Sequence, residues 1–251
     1  MCSKELKFNK SESFQENINQ NFKIFQKKKK LRESYFKIYQ IISKYIETDQ
    51  INLEIGSGFG YLKRFSPNLI TSDFPKNEFV DKEVNAYSIG NDDNYYDNII
   101  LIDVFHHLEF PKKALEQFHR VLKKNGQLII ADVHLGLIPK LIFKLFHHEP
   151  VNFETKISLL YKKLEKNNYF SNQSHYQRII LEDEEKIRSD YFILKQTYNW
   201  SDFRYIFTGG FSNKQYLPNF ALTMIHLLDK KIFSFFPKIF SVRGIAVLRK
   251  K

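Results

Sequence analysis

Cysteine is almost missing: Cys2 is the single thiol in 251 residues. An intrachain disulfide and a cysteine-based metal cluster are therefore excluded, and a reducing compartment fits. Long apolar runs are missing too. Nowhere do about eighteen uncharged apolar residues follow one another, and the polar N-terminal stretch has no signal-peptide segment, so a soluble, cytoplasmic protein is expected. Acids are in short supply, with 28 Asp and Glu against 39 Lys and Arg, a net charge of +11. That balance favours acidic substrates, nucleic acid or an anionic membrane surface. The simultaneous richness in Lys, Asn, Ile, Phe and Tyr is also what AT-biased codons produce. Nucleic acid is disfavoured as a partner, because basicity alone supplies affinity without specificity. The compact KKKK run at residues 27–30 reads as a solvated helix face.

Glycine is scarce as well, at nine residues, yet three of them stand together in NLEIGSGFGY as Gly56, Gly58 and Gly60. Glycine loses more chain entropy on folding than other residues, and is favoured where the backbone needs positive φ or close approach. This turn is expected to face a ligand.

The length suits one core with an appended cap. A polar N-terminal segment, expected to be loosely ordered, precedes Leu31, Tyr35, Ile38, Ile42, Tyr45 and Ile46 at helical spacing, and this helix closes the region 1–50. Short strands are predicted at 51–55, 69–72, 84–89, 98–104 and 127–131. Helices are predicted at 59–65, closed by Pro67, and at 111–122, with Gly126 as C-cap. This alternation over 51–134 argues for an α/β fold, a mostly parallel sheet with helices on both faces. Residues 135–190 read as an α-rich cap. Residues 191–251 supply the last strands, at 192–198 and 244–248, with a helical insertion between them.

Ligands of such sheets sit outside the carboxyl ends of the strands. Those ends carry Glu54 and the glycine turn, then Asp73, then Asn85 and Ala86, then Asp103 followed by His106 and His107. A close-approach turn beside a carboxylate on the next strand is how α/β folds hold a nucleoside. A dinucleotide fingerprint is disfavoured by Tyr61 where the third glycine belongs, and no P-loop Gly-Lys-Ser/Thr follows. The successive stretches LEIGSGFG, SDF, NAYS, YYDNIILIDVFHHLE and ALEQFHRVLKKNGQLIIADVH resemble the motifs of class I S-adenosylmethionine-dependent methyltransferases of the small-molecule type. The likeness covers roughly residues 50 to 134 and implies a Rossmann-like seven-stranded sheet. Asn125 departs from it, standing where the family usually has proline.

Carried over residue by residue, the resemblance implies that Gly56, Ser57, Gly58 and Gly60 approach the methionine part of S-adenosylmethionine. Glu54 would order that turn and the amino group, Asp73 would bind the ribose hydroxyls, Asn85 and Ala86 would flank the adenine, and Ile102 and Asp103 would line the sulfonium end. Base methylation at amino groups or carbon-5 loses ground, since Asp103-Val104-Phe105-His106 lacks the Pro-Pro signature and no site thiol exists.

His106 and His107 lie where the transferable methyl should point, and either could deprotonate an acceptor hydroxyl. Asp103, Asp132 and His134 could together hold a divalent cation, but separate turn and capping roles fit their spacing better, and no metal is expected. In FHHEP (146–150), His148 and Glu149 are candidates for a polar substrate, as are Asn172 and Gln173 for a glycan. FHHEP and RYIFTGGFSN resemble segments of a subgroup associated with surface-polysaccharide or lipid modification. LGLIPKLIFKLFHH and MIHLLDKKIFSFFPKIF mix apolar side chains with lysines, which permits contact with an anionic membrane. The expected function is methyl transfer to a small-molecule or glycan- or lipid-linked acceptor at oxygen. A noncatalytic cofactor-binding or membrane-peripheral scaffold and an RNA methyltransferase stay open as alternatives.

Overall fold

The computed structural model describes residues 10–147, 149–162, 170–182 and 185–251. Seven strands form one sheet: β1 (Asn52–Ile55), β2 (Leu69–Asp73), β3 (Lys82–Glu83), β4 (Tyr96–Ile102), β5 (Leu122–Val133), β6 (Phe192–Trp200) and β7 (Arg243–Lys250), in the spatial order β3-β2-β1-β4-β5-β7-β6. The first five strands are parallel to one another, whereas β7 runs antiparallel between β5 and β6. Side-chain alternation divides the core in two. Ile99, Leu101, Leu128 and Ile130 join one cluster with helix α3 (Pro111–Val121). Ile100, Ile129 and Ala131 join the other, under helix α2 (Lys29–Ile42), whose buried face is Leu31, Tyr35, Ile38 and Ile42.

Several local expectations are corrected. The N-terminal polar segment contains a helix, α1 (Lys10–Lys27), whose Phe25 is fully buried against the ring of Tyr61. The expected helix at 59–65 is only a four-residue 3-10 turn (Tyr61–Arg64). Left-handed glycines on one side and Pro67 on the other leave too few residues for an α-helix. The third strand is the two-residue β3 and lies ahead of its expected position. After it, Asn85 accepts from the Tyr87 N–H at 2.9 Å and turns the chain, while Val84, Tyr87 and Ile89 still enter the core. The residue in left-handed conformation after α3 is Asn125 (φ 65°), not Gly126. Gly126 is needed because a Cβ there would lie 2.9 Å from the carbonyl oxygens of Asp97 and Lys123.

The cap region holds α4 (Leu137–Phe146), a turn of π-helix (Gln177–Leu181) and the short α5 (Glu185–Ser189). Between β6 and β7 lie α6 (Phe203–Phe207), α7 (Asn219–Lys231) and α8 (Pro237–Phe240). Among the described residues, no helix is long and apolar enough to cross a membrane.

The lysine run at 27–30 is not merely a solvated face. At the junction of α1 and α2, Lys28 Nζ donates to the carbonyls of Thr208 (2.8 Å), Gly210 (2.7 Å) and Asn213 (2.6 Å). Gly209 and Gly210 (φ 72° and 53°) are the positive-φ residues of the loop so held. We expect Lys28→Met to cost about 1–3 kcal/mol of stability, because three carbonyls lose a charged donor. Lys27→Met, on the exposed side, is the control in the same thermal denaturation series. Equal effects of the two substitutions would contradict this.

Candidate active site

A cleft of about 1410 Å³ opens at the carboxyl ends of β1, β2 and β4. It is lined by Glu54, Gly56, Ser57, Gly58, Asp73, Asn85, Ala86, Ile102, Asp103, His106 and His107, and from the cap by Glu149 and Gln173. Two candidates do not reach it. Gly60 stays within the turn, and Asn172 is buried beneath the cap; His148 falls outside the described residues.

The three glycines serve different ends. All have positive φ (69°, 54° and 62° at Gly56, Gly58 and Gly60). A Cβ on Gly56 would sit 2.5 Å from a Val104 methyl, and one on Gly60 would sit 2.9 Å from the Phe79 carbonyl oxygen. Only at Gly58 would a Cβ meet nothing within 4 Å. Gly56 and Gly60 therefore accommodate protein, while Gly58 presents bare backbone to the cleft.

Asp73 ties the tips of β1 and β2 together. Its Oδ2 accepts from the Gly58 N–H (3.1 Å) and the Asn77 amide (3.2 Å), and its Oδ1 from the Phe74 N–H (2.9 Å). Burial nevertheless raises the carboxyl to about 6, with those three hydrogen bonds opposing. Glu54 is driven further, to about 8, by burial with the charge of Asp73 adding to it and Ser57 offsetting part. Its Oε2 is buried and has no hydrogen-bond partner among the described residues. Two acidic side chains whose ionisation burial opposes therefore flank bare backbone, a set that suits a ligand carrying a positive charge and hydroxyls.

At the end of β4, Asp103 adopts φ 54°, sparsely populated for a non-glycine. It is held there by the Tyr35 hydroxyl, donating at 2.6 Å, and by an ion pair with Arg243. Arg243 is 1% exposed, and its guanidinium lies 4.0 Å from the Tyr205 ring centroid. In the next turn, His106 Nδ1 is 2.7 Å from Asp132 Oδ1, both buried. Burial lowers the pKa of an imidazolium, but Asp132 outweighs it and holds His106 at about 9. His107 goes the other way, to about 4, through burial and the neighbouring His106. His107 Nδ1 lies 3.1 Å from the Phe170 carbonyl. The Asp103, Asp132 and His134 set does not converge, since Asp132 pairs with His106 and His134 Nδ1 meets the Ser241 hydroxyl at 2.7 Å.

Asn172 fastens the cap. Its Oδ1 accepts from the Asn152 N–H (3.1 Å) and Ser174, its Nδ2 donates to the Asn152 carbonyl (3.0 Å), and its own N–H donates to the His106 carbonyl (2.8 Å). Gln173, by contrast, points its amide at Glu149 Oε2 in the cleft.

Residues 27–180 match the methyltransferase-domain family. The chain belongs to that family. It is an S-adenosylmethionine-dependent methyltransferase with the class I fold. No curated protein matches it by sequence. Among solved structures it is similar to an S-adenosylmethionine-dependent methyltransferase of Thermotoga maritima, described as a possible histamine N-methyltransferase, at 16% identity over 95% of this chain and 98% of that one (TM-score 0.56). It is also similar to the [4+2]-cyclase SpnF, at 15% identity over 85% and 80% of the two chains (TM-score 0.50). Likeness this distant concerns the fold alone, so acceptor chemistry has to be argued from the site.

The sequence reading missed Tyr35 and Tyr205 in the lining of the cleft, and Arg243 and Asn77, which contact Asp103 and Asp73. Tyr35 reads as an ordinary apolar position of α2, and only an arginine opening an otherwise apolar strand, RGIAVL, hinted at a buried partner. The glycine geometry yields a prediction. Gly58→Ala keeps its fold to within about 1–2 kcal/mol, the usual cost of left-handed alanine, yet loses S-adenosylhomocysteine affinity about tenfold or more. Gly60→Ala loses more stability than Gly58→Ala. Calorimetry and melting curves on both variants check this, and unchanged binding in Gly58→Ala would contradict it.

Proposed function

We propose that this enzyme methylates a hydroxyl oxygen of a glycan- or lipid-linked acceptor presented at an anionic membrane surface. S-adenosylmethionine, when bound, supplies a methyl group on a sulfonium, and transfer needs in-line alignment and exclusion of water more than acid or base assistance. Gly58 backbone, Asp73 for the ribose hydroxyls and the unpartnered Glu54 oxygen for the ammonium are the groups suited to hold it. Asn85 and Ala86 lie at the adenine end of that assignment, and the exposed ring of Phe74 lines the cleft beside them. A hydroxyl is a poor nucleophile until its proton leaves. His107 and Glu149, beside the protonated His106, are the polar groups gathered beyond β4 to receive it.

One observation carries the acceptor reading. Helix α4 forms a wall of the cleft through Phe143 and Phe146, and its outer side exposes Leu137, Leu141 and Leu145. Helix α8 packs beside it and joins the exposed Phe235 and Phe236, while α7 adds Phe220 and Met224. Lys140, Lys144, Lys230, Lys231 and Lys238 accompany these side chains. The acid of these helices, Asp229, is buried against Ser201 and the amides of Phe203 and Arg204. An apolar surface whose own helices expose lysines and no acid fits anionic headgroups over an acyl boundary.

Two measurements test this reading. The protein should sediment with anionic vesicles at low salt, stay in solution with zwitterionic ones, and lose vesicle binding but not S-adenosylhomocysteine binding in the double variant Leu141→Glu/Leu145→Glu. Labelled S-adenosylmethionine should transfer its methyl to a membrane lipid or glycolipid extract, and Asp73→Ala should reduce that transfer by about tenfold or more. A protein that ignores anionic vesicles, or labels only soluble fractions, would remove the reading.

A further inference from the structure

We propose that His106, His107 and Glu149 form a binding site for one divalent transition-metal cation at the acceptor end of the cleft. One potential ligand atom from each residue lies within 4.8 Å of the others. Around a tetrahedral ion with bonds of about 2.1 Å, ligand atoms stand roughly 3.4 Å apart. His106 Nε2 and Glu149 Oε2, at 3.7 Å, are already close to that spacing. They are also too far apart for a hydrogen bond to each other. They form an ion pair while His106 is protonated, and a bound ion would take the place of the Nε2 proton.

The surroundings carry the argument further. Metal-binding imidazoles ordinarily have their other ring nitrogen fixed by a carboxylate or a backbone carbonyl, and metal-binding carboxylates are themselves hydrogen-bonded. Each member of this group has such a partner: Asp132 on His106 Nδ1 at 2.7 Å, the Phe170 carbonyl near His107 Nδ1 at 3.1 Å, and the Gln173 amide on Glu149. The backbones are tied as well. The Asn172 N–H donates to the His106 carbonyl at 2.8 Å, and the Gln173 N–H donates to the Pro150 carbonyl at 3.0 Å, so the Glu149 segment is pinned to the histidine turn. Two imidazoles and one carboxylate facing a cleft suit zinc, cobalt, manganese or ferrous iron, and leave coordination positions open.

The inference rests on the reading of this end of the cleft as the acceptor site. There an open position would take the acceptor oxygen, and coordination would make its proton easier to lose without consuming the ion. The ion's presence can be measured without any methyl transfer.

Chelator-treated, dialysed protein is titrated with Co²⁺ and followed by visible d–d absorption, with bound metal counted by elemental analysis. We expect one Co²⁺ per chain, with affinity falling about tenfold or more in Glu149→Gln and in His107→Ala. In both variants S-adenosylhomocysteine binding reports that the fold persists. Gly58→Ala, disabled for the cofactor, should bind Co²⁺ as the parent does. Co²⁺ binding that is absent in the parent, or equal in the parent and Glu149→Gln, overturns the site. Co²⁺ bound as expected, in an enzyme whose methyl transfer is indifferent to chelation, upholds the site and removes its part in activating the acceptor, leaving the acceptor reading to the vesicle and extract tests.

Discussion

Two acidic side chains with no cation beside them among the described residues, one buried and one half-buried, set the terms for this molecule. Glu54 and Asp73 stand at the tips of adjacent strands, where burial raises them to about 8 and about 6. A protein keeps such groups only where their hydrogen bonds or a ligand compensate. Asp73 has its compensation in part, from the Gly58 and Phe74 amides and Asn77. Glu54 has less, and its Oε2 waits. The glycine turn depends on this arrangement: Ser57 donates to the Glu54 carbonyl and accepts the Ser72 N–H, so the first two strands and the turn form one unit.

The other end of the cleft is built by different means. Asp103 is kept in its left-handed conformation by Tyr35 and Arg243, one from α2 and one from β7, so distant parts of the chain meet at a single carboxylate. The cap is attached through Asn172 and Gln173, which bring Glu149 beside the two histidines. The glycine turn and the histidine pair thus face one cleft, where the sheet ends and the cap begins. Within the cap, α4 exposes Leu137, Leu141 and Leu145 on its outer face, alongside Lys144.

Much of the sheet could be read from the sequence, because alternating short apolar runs and turn residues leave few arrangements for a parallel core. The carboxylates at strand tips were legible for the same reason, as a strand ending fixes where its last side chain lies. Local conformations were less legible. Helical spacing after Gly60 suggested a helix that the left-handed glycines and Pro67 leave no room for. Asn125 takes the left-handed conformation, while Gly126 is needed because a Cβ there would strike two carbonyls, a tertiary fact that propensity does not contain. Lys28, Tyr35 and Arg243 escaped notice because each acts on a partner more than sixty residues away.

The central claim is that the carboxylate pair is shaped for a cationic nucleoside. An acid raised to about 8 is largely protonated at neutral pH in the empty protein; pairing with a ligand's ammonium lowers it again, so the proton leaves on binding. Titration calorimetry of S-adenosylhomocysteine near neutral pH, in buffers of different ionisation enthalpy, reads that proton directly. Net proton release is expected, with affinity rising as the pH approaches about 8, and both effects disappearing in Glu54→Gln. Binding that exchanges no proton and is indifferent to pH across this range would contradict the account.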